Sequence, residues 1–333
     1  MSKLEDVGEF GLINIIRQKI ENSHLKNQLP MGFELLLGVG DDAAIWKPSK
    51  ADYQVHTTDT LVEGIHFSRD TFAWQDVGWK LAAANLSDIA AMGADPVSAL
   101  ITLGLATDLD VSMVDELYDG ILECFSEYPT QIIGGDIVKS DQVFITMSIL
   151  GQSNTFPLRR NAAQVGDVVA VTGNLGSSAA GLAILRSQDK DIFQELVDVH
   201  LRPIPQITMG RLLRNSGIKC AIDISDGLLA DLSKVGYESG VEIHIHAGCV
   251  PVSKRILETN WPDYMELVLS GGEDYQLAFT GEEELVRALL KNSAGAIIGE
   301  VKKGKPGHLK VLSEIGTEMH FDKTGWDHLS TQK

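Results

Sequence analysis

CAIDISDGLLADLSKVGYES, residues 220–239, is the stretch on which the fold turns. CAIDIS is an apolar run of strand length, and from Asp226 onward the chain reads as a helix. Gly227 marks the turn between them, and Asp226 would serve as the helix N-cap. A strand that runs straight into a helix, with aspartate at the strand end, is the unit that recurs in both directions along the chain.

Outward from it, DVVAVTG (167–173) reads as a strand and GSSAAGLAILRS (176–187) as a helix. PQITMGRLLRNSG (205–217) reads as a helix, VEIHIHA (241–247) as a strand, and YQLAFT (275–280) as a strand entered through SGGED. The N-terminal half continues the pattern. Phe10, Ile13, Ile16 and Ile20 lie at helical spacing, and YQVHTT (53–58) is a strand running into Asp59. Residues 76–92 predict a helix with Asp76 as N-cap and Gly93 as its stop, rich enough in alanine to pack closely against another element. A helix near 112–127 leads to the strands QIIGGDIV (131–138) and VFITMSILG (143–151). The polar stretch 151–166 divides the chain into domains at 1–150 and 151–333. This alternation predicts an α/β or layered α+β architecture of mixed sheets packed with helices.

The 333 residues allow two domains at roughly 100–200 residues each. With 28 Lys+Arg against 46 Asp+Glu the net charge is −18, which argues against binding a nucleic-acid backbone. Small anions remain possible ligands provided metal ions shield the charge. Three scattered cysteines fit neither a disulfide framework nor a zinc site. The sequence shows no signal-peptide core and no apolar run of about 18 residues, so a cytoplasmic protein without membrane contact is expected.

Several motifs carry less than they promise. GEVKKGK (299–305) fits the start of a P-loop, but Pro306 stands where the metal-binding hydroxyl belongs. GVGDDA (38–43) imitates a dinucleotide fingerprint without a helix after it. GNLGSS (173–178) does join a strand to a helix, so its backbone N–H groups either bind an anion or simply make a tight turn. His244 and His246 share a strand face and read as packing rather than as zinc ligands. Lys80 reads as helix surface in preference to a phosphate contact.

Aspartate beside glycine at strand ends is the recurrent signal: Asp41-Asp42, Asp59, Asp136, Asp223, Asp226 and Glu273-Asp274, with Asp88 from a helix on the same face as Asn85. Singly, each is a turn or cap residue. Together they would repel unless cations neutralised them, and Mg²⁺ prefers such oxygen ligands. Hydroxyls at Thr57, Thr58 and Ser225, with no nucleophile–base pair, point to metal-assisted phosphoryl transfer.

GVGDDAA, TTDTLVEGIHF, NLSDIAAMGA, IGGD, VTGNLGSSAAGL, HLRP, DISDGL and SGGEDYQL occur in one order over residues 8–328. In this the chain resembles the thiamine-monophosphate kinase family of the aminoimidazole ribonucleotide synthetase-like ATP-binding superfamily. The resemblance implies two domains and a homodimer joined through N-terminal sheets. It implies ATP as donor, thiamine monophosphate as acceptor and several Mg²⁺ ions. Carried over, Asp42, Thr57, Thr58, Asp59, Asp88, Asp136, Asp223 and Asp226 would be metal ligands. Gly135, Asp136, Arg160 and Ser225 would contact ATP, and His66, Glu273 and Trp326 the acceptor. Another ATP-using enzyme of the superfamily, or a non-catalytic Mg–nucleotide module, is the alternative reading.

Overall fold

Alternating burial along residues 53–62 puts one side of a ten-residue strand in the core and leaves the other open. The computed structural model describes residues 15–16, 18–23, 34–37, 45–47, 53–187, 193–291 and 294–326. Backbone at 15–16 and 18–22 is helical, where the N-terminal helix was expected; the rest of that stretch lies outside the described residues. The chain divides into two units, residues 1–89 with 94–156, and residues 90–93 with 157–333.

In the first unit, β1 (Glu34–Leu37) and β2 (Ile45–Lys47) form an antiparallel ribbon. β3 (Tyr53–Val62), β4 (Asp95–Leu105), β5 (Gln131–Lys139) and β6 (Phe144–Ser153) form a sheet in the order β3-β6-β4-β5. β4 and β5 are parallel, so a helix must carry the chain back between them. That helix is α2 (Val111–Glu127), which buries Val114, Leu117, Ile121, Cys124 and Phe125 at three- and four-residue spacing.

Helix α1 (Trp74–Ala91) begins two residues earlier than expected, so Asp76 lies in its first turn instead of capping it. A carboxylate there still favours the positive end of the helix. Gly93 ends the helical run at φ +62°, a conformation glycine adopts without steric cost. The alanines of α1 are buried, and the helix meets α2 through glycine. A Cβ on Gly78 would lie 2.0 Å from the Leu117 carbonyl oxygen, and one on Gly120 would lie 1.8 Å from that of Gln75. Lys80 corrects its sequence reading: it is fully buried, with its ammonium 5.1 Å from the centroid of the Phe72 ring.

The second unit is built on seven strands in the order β13-β12-β9-β11-β7-β10-β8. These are β7 (Val168–Val171), β8 (Cys220–Asp223), β9 (Glu242–His246), β10 (Leu277–Gly281), β11 (Ala296–Lys302), β12 (Leu309–Leu312) and β13 (Glu318–Met319). Only the β9–β12 pair is parallel. Helices α3 (Ser177–Leu185), α4 (Gln194–Leu201), α5 (Ile207–Asn215), α6 (Leu228–Ser239), α7 (Lys254–Glu258), α8 (Tyr264–Ser270) and α9 (Glu283–Leu290) accompany the sheet. Val169, Val171, Ile222, Ile224, Leu228, Leu232 and Ile298 belong to the core cluster of this unit. The layers are therefore mixed sheet and helix, as the alternation predicted. Residues 299–305 run from strand β11 into a turn before β12, with no helix after them, which removes the P-loop reading. His244 donates from Nε2 to the Glu242 carboxylate at 2.6 Å, within the sheet.

Gly120→Ala is expected to lower stability by about 1–3 kcal/mol, because the added methyl collides with backbone that side-chain rotation cannot move. Urea unfolding monitored by circular dichroism measures it, and an unchanged midpoint would contradict the α1–α2 contact.

Candidate active site

Strand pairing sorts the acidic residues of the first unit by face. Asp59 lies opposite Met147, Met147 opposite Ile101, and Ile101 opposite Gly135. Met147 and Ile101 are buried, so this row faces the helices. Thr57 shares that face: its hydroxyl donates to the Asp88 carboxylate on α1 in a short contact. Buried Asn85, one helical turn earlier, accepts from the Asp59 backbone N–H at 3.1 Å and donates to the Leu81 carbonyl at 2.9 Å. Thr57, Asp59, Asn85 and Asp88 thus form one knot between strand and helix.

The neighbouring rows face the other way. Thr58 pairs with Ser148 and Ser148 with Leu100, while Thr60 pairs with Thr146, Thr146 with Thr102 and Thr102 with Asp136. The Thr58 hydroxyl donates to the Met147 carbonyl at 2.9 Å. Asp136 is exposed, and its carboxylate accepts the N–H of Ile137 at 2.9 Å. Three strand spacings put it roughly 14 Å from Thr60. Gly135 admits no side chain, since a Cβ would lie 1.9 Å from the Ile101 carbonyl oxygen. His66 sits in the turn after β3, where its Nδ1 accepts the Val62 N–H at 3.0 Å. That bond leaves the proton of the neutral ring on Nε2. Asp42 lies outside the described residues.

In the second unit the 224–227 turn is the organising centre. One carboxylate oxygen of buried Asp231 accepts the N–H groups of Ser225, Asp226 and Gly227 at 3.1, 3.0 and 3.1 Å. Its other oxygen accepts from Lys234 at 2.7 Å, and Lys234 also donates to Asp226 at 2.6 Å. Burial pushes the Asp231 carboxyl upward, opposed by the Lys234 ammonium. Asp226 is therefore not the N-cap; that position falls to Gly227, at φ +126°.

Two further segments hang from this turn. Glu273 N–H donates to Ser225 O at 2.8 Å, Tyr275 N–H to Ile224 O at 2.9 Å, and Trp326 N–H to Asp226 O at 2.9 Å. Ser225, Asp226, Glu273 and Trp326 are thereby brought together, with buried Asp223 just before them at the end of β8. Glu273 and Tyr275 have positive φ, +65° and +50°, a strained pair for residues with side chains. The Glu273 carboxylate is 3.6 Å from Nδ1 of buried His200, which hydrogen-bonds Ser178 at 3.0 Å. Arg160 is exposed, and its carbonyl accepts from Ser239 at 2.9 Å.

The GNLGSS turn is occupied from within. Asp274 accepts from the backbone N–H groups of Gly176 at 2.6 Å and Ser178 at 3.0 Å. Burial pushes this carboxyl up to about 7, while those N–H groups favour its ionised form. The anion that the turn was able to bind is the protein's own. Asp231 is an organising residue that sequence reading passed over, and Asp274 one that it noted beside Glu273 without giving it this role. Asp231 had a signal, five residues after Asp226 and three before Lys234; Asp274 had only its place beside Glu273.

A two-unit protein with carboxylates at strand ends in both units defines a class. The model for AIR synthase related proteins matches its N-terminal domain over residues 40–153 and its C-terminal domain over 164–311. Thiamine-monophosphate kinase of Aquifex aeolicus (strain VF5) is 35% identical over 309 residues, covering 91% of this chain and 94% of that protein. A crystal structure of thiamine-monophosphate kinase from Stenotrophomonas maltophilia K279a is 32% identical with a TM-score of 0.78, covering 94% of this chain and 98% of that one. AaThiL complexed with AMPPCP and TMP is 31% identical with a TM-score of 0.75, covering 99% of both chains. The chain belongs to the thiamine-monophosphate kinase family of AIR synthase related proteins.

Asp231→Ala is expected to cost about 1–3 kcal/mol, since it strands three backbone N–H groups in a largely buried turn. Amide hydrogen exchange at Ser225, Asp226 and Gly227 should accelerate in the variant. Unchanged protection there would contradict the role given to Asp231.

Proposed function

We propose that the protein transfers the γ-phosphoryl group of ATP directly to the phosphate of thiamine monophosphate, giving thiamine diphosphate and ADP, with Mg²⁺ ions as cofactor. The observation that carries this reading is the paired arrangement of Thr57 and Asp88 around clamped Asp59, within a chain of this family. The bond from Pγ to the β,γ-bridging oxygen breaks as a bond from Pγ to an acceptor phosphate oxygen forms. A phosphate monoester has its second pKa near 6, so at neutral pH it is already an anionic nucleophile and needs no general base.

The obstacle is charge. Two unit charges about 4 Å apart repel by roughly 4 kcal/mol at an effective dielectric of 20. Among the described residues, no three His, Cys, Asp or Glu side chains gather closely enough to hold a metal ion by themselves. Mg²⁺ takes one or two carboxylates and completes its shell with phosphate oxygens and water. The oxygen-only donors Thr57, Asp59 and Asp88 on one face of the first unit's sheet, Thr58 and Asp136 on its other face, Asp223 and Asp226 of the second unit, and Asp42 would hold the ions. Bound there, they supply positive charge that shields donor from acceptor and stabilises the equatorial oxygens of the transferred group.

The chain's own groups divide the remaining work. Gly135 lets the β5 backbone lie close to the nucleotide phosphates, and Arg160 and Ser225 hold ATP. His66, its ring oriented by the Val62 N–H on Nδ1, donates from Nε2 to the acceptor phosphate. Lys234 limits the negative charge beside Asp226 and keeps that carboxylate in place. Glu273, fixed at its backbone, and Trp326, an aromatic face for a cationic ring, position the thiamine part.

In this reading the first unit binds metal and ATP and forms a homodimer. Its sheet face opposite the helices leaves Leu100 and Val138 exposed, which suits burial against a second copy. The second unit contributes residues that bind nucleotide and thiamine. No helix of the described residues is long and apolar enough to cross a membrane. A cytoplasmic enzyme without nucleic-acid partners is the setting that the acidic charge and reduced cysteines support.

Asp59→Asn is expected to lower kcat by about two to three orders of magnitude, as loss of a group stabilising transferred charge does, with the fold intact. Steady-state assay of thiamine diphosphate formation, beside circular dichroism, measures it. Turnover near wild type would remove Asp59 from the metal site.

A further inference from the structure

A cavity of about 560 Å³ opens beside the 271–273 loop, within the size range of small-molecule sites. Two indoles line it, Trp326 and Trp261, with Gly271 and Gly272 between them in the lining and the carboxylates of Asp263 and Glu266 beside them. Trp326 is 55% exposed although its backbone is tied to Asp226. A Cβ on neighbouring Gly325 would lie 2.8 Å from the Asp226 carbonyl oxygen, so glycine is what brings Trp326 this close to the turn.

Trp261 belongs to no motif, yet its placement is specified. Asn260 just before it has φ +55°, a sharp local reversal. The Trp261 N–H donates to the Thr259 hydroxyl at 3.3 Å, and that hydroxyl donates to Ile256 O at 2.6 Å. One side of the indole packs against the cluster that includes Ile184, Leu196 and Ile256. The side chain is thus anchored at one surface and lines the cavity with another. Lys323 also lines the cavity, which leaves two carboxylates against one ammonium. Aromatic faces with a carboxylate excess favour a flat heteroaromatic cation.

We propose that Trp261 is a specificity-determining residue for the acceptor: with Trp326 it holds the acceptor's heteroaromatic cation in this cavity, supported by Asp263 and Glu266. This rests on the kinase reading for the identity of the acceptor, whose thiazolium ring is such a cation. Trp261 contacts the part of the substrate remote from the reacting phosphorus. Its removal therefore acts on acceptor binding and leaves the chemistry of transfer in place.

The test compares Trp261→Leu, which keeps an apolar anchor without an aromatic face, with Trp261→Phe, which restores the face. Trp261→Leu should raise the KM for thiamine monophosphate about tenfold, with kcat and the KM for ATP within about twofold of wild type. Trp261→Phe should recover most of the loss. Equal acceptor KM in wild type and Trp261→Leu, or loss of kcat in both variants, would overturn the assignment. Calorimetric binding of thiamine itself separates this from the kinase reading. If the wild type transferred nothing to thiamine monophosphate, the kinase reading would fail. Thiamine bound about tenfold more weakly by Trp261→Leu would still support the cavity, and equal binding would end it.

Discussion

One carboxylate carries much of the C-terminal unit. Asp231 gathers three consecutive backbone N–H groups on a single oxygen, and the loop that carries Glu273 and the segment that carries Trp326 both dock on the turn so formed. Without that convergence the 225–226 turn, residue 273 and residue 326, distant in sequence, would be unrelated in space. The constraint is electrostatic as well as geometric. A charge buried beside N–H groups and balanced by Lys234 is costly to place anywhere else.

Asp274 repeats the device at the neighbouring turn, capping α3 with a carboxylate that comes from the same loop as Glu273. The loop is thereby held from both sides, which is what allows Glu273 and Tyr275 to persist at positive φ. The acidic charge of the protein has the same logic: carboxylates that pin the fold and carboxylates available to cations are interleaved along a few short motifs.

The strand–turn–helix units were legible in the sequence because apolar period and Asp-Gly punctuation are local signals. The face on which each residue lies was legible in part: period two alone separates Thr57 from Thr58, yet the motif presents them side by side. Partnerships across long separations were not legible. Nothing near GNLGSS announces that Asp274, almost one hundred residues later, fills its anion site. Lys80 looked like surface because lysine usually is; only the buried packing of α1 against Phe72 and the sheet reverses that expectation. Asp226 looked like a cap because aspartate before a helix usually is, but Asp231 takes the turn's N–H groups and leaves Asp226 to Lys234.

The central claim is a single direct transfer between two anionic phosphates, with no phosphorylated protein group on the way. The stereochemical course at phosphorus tests it most directly, using ATP made chiral at the γ-position with thiamine monophosphate as acceptor. One in-line displacement predicts inversion of configuration in thiamine diphosphate. Retention would mean two displacements, hence a protein nucleophile, and would contradict the account.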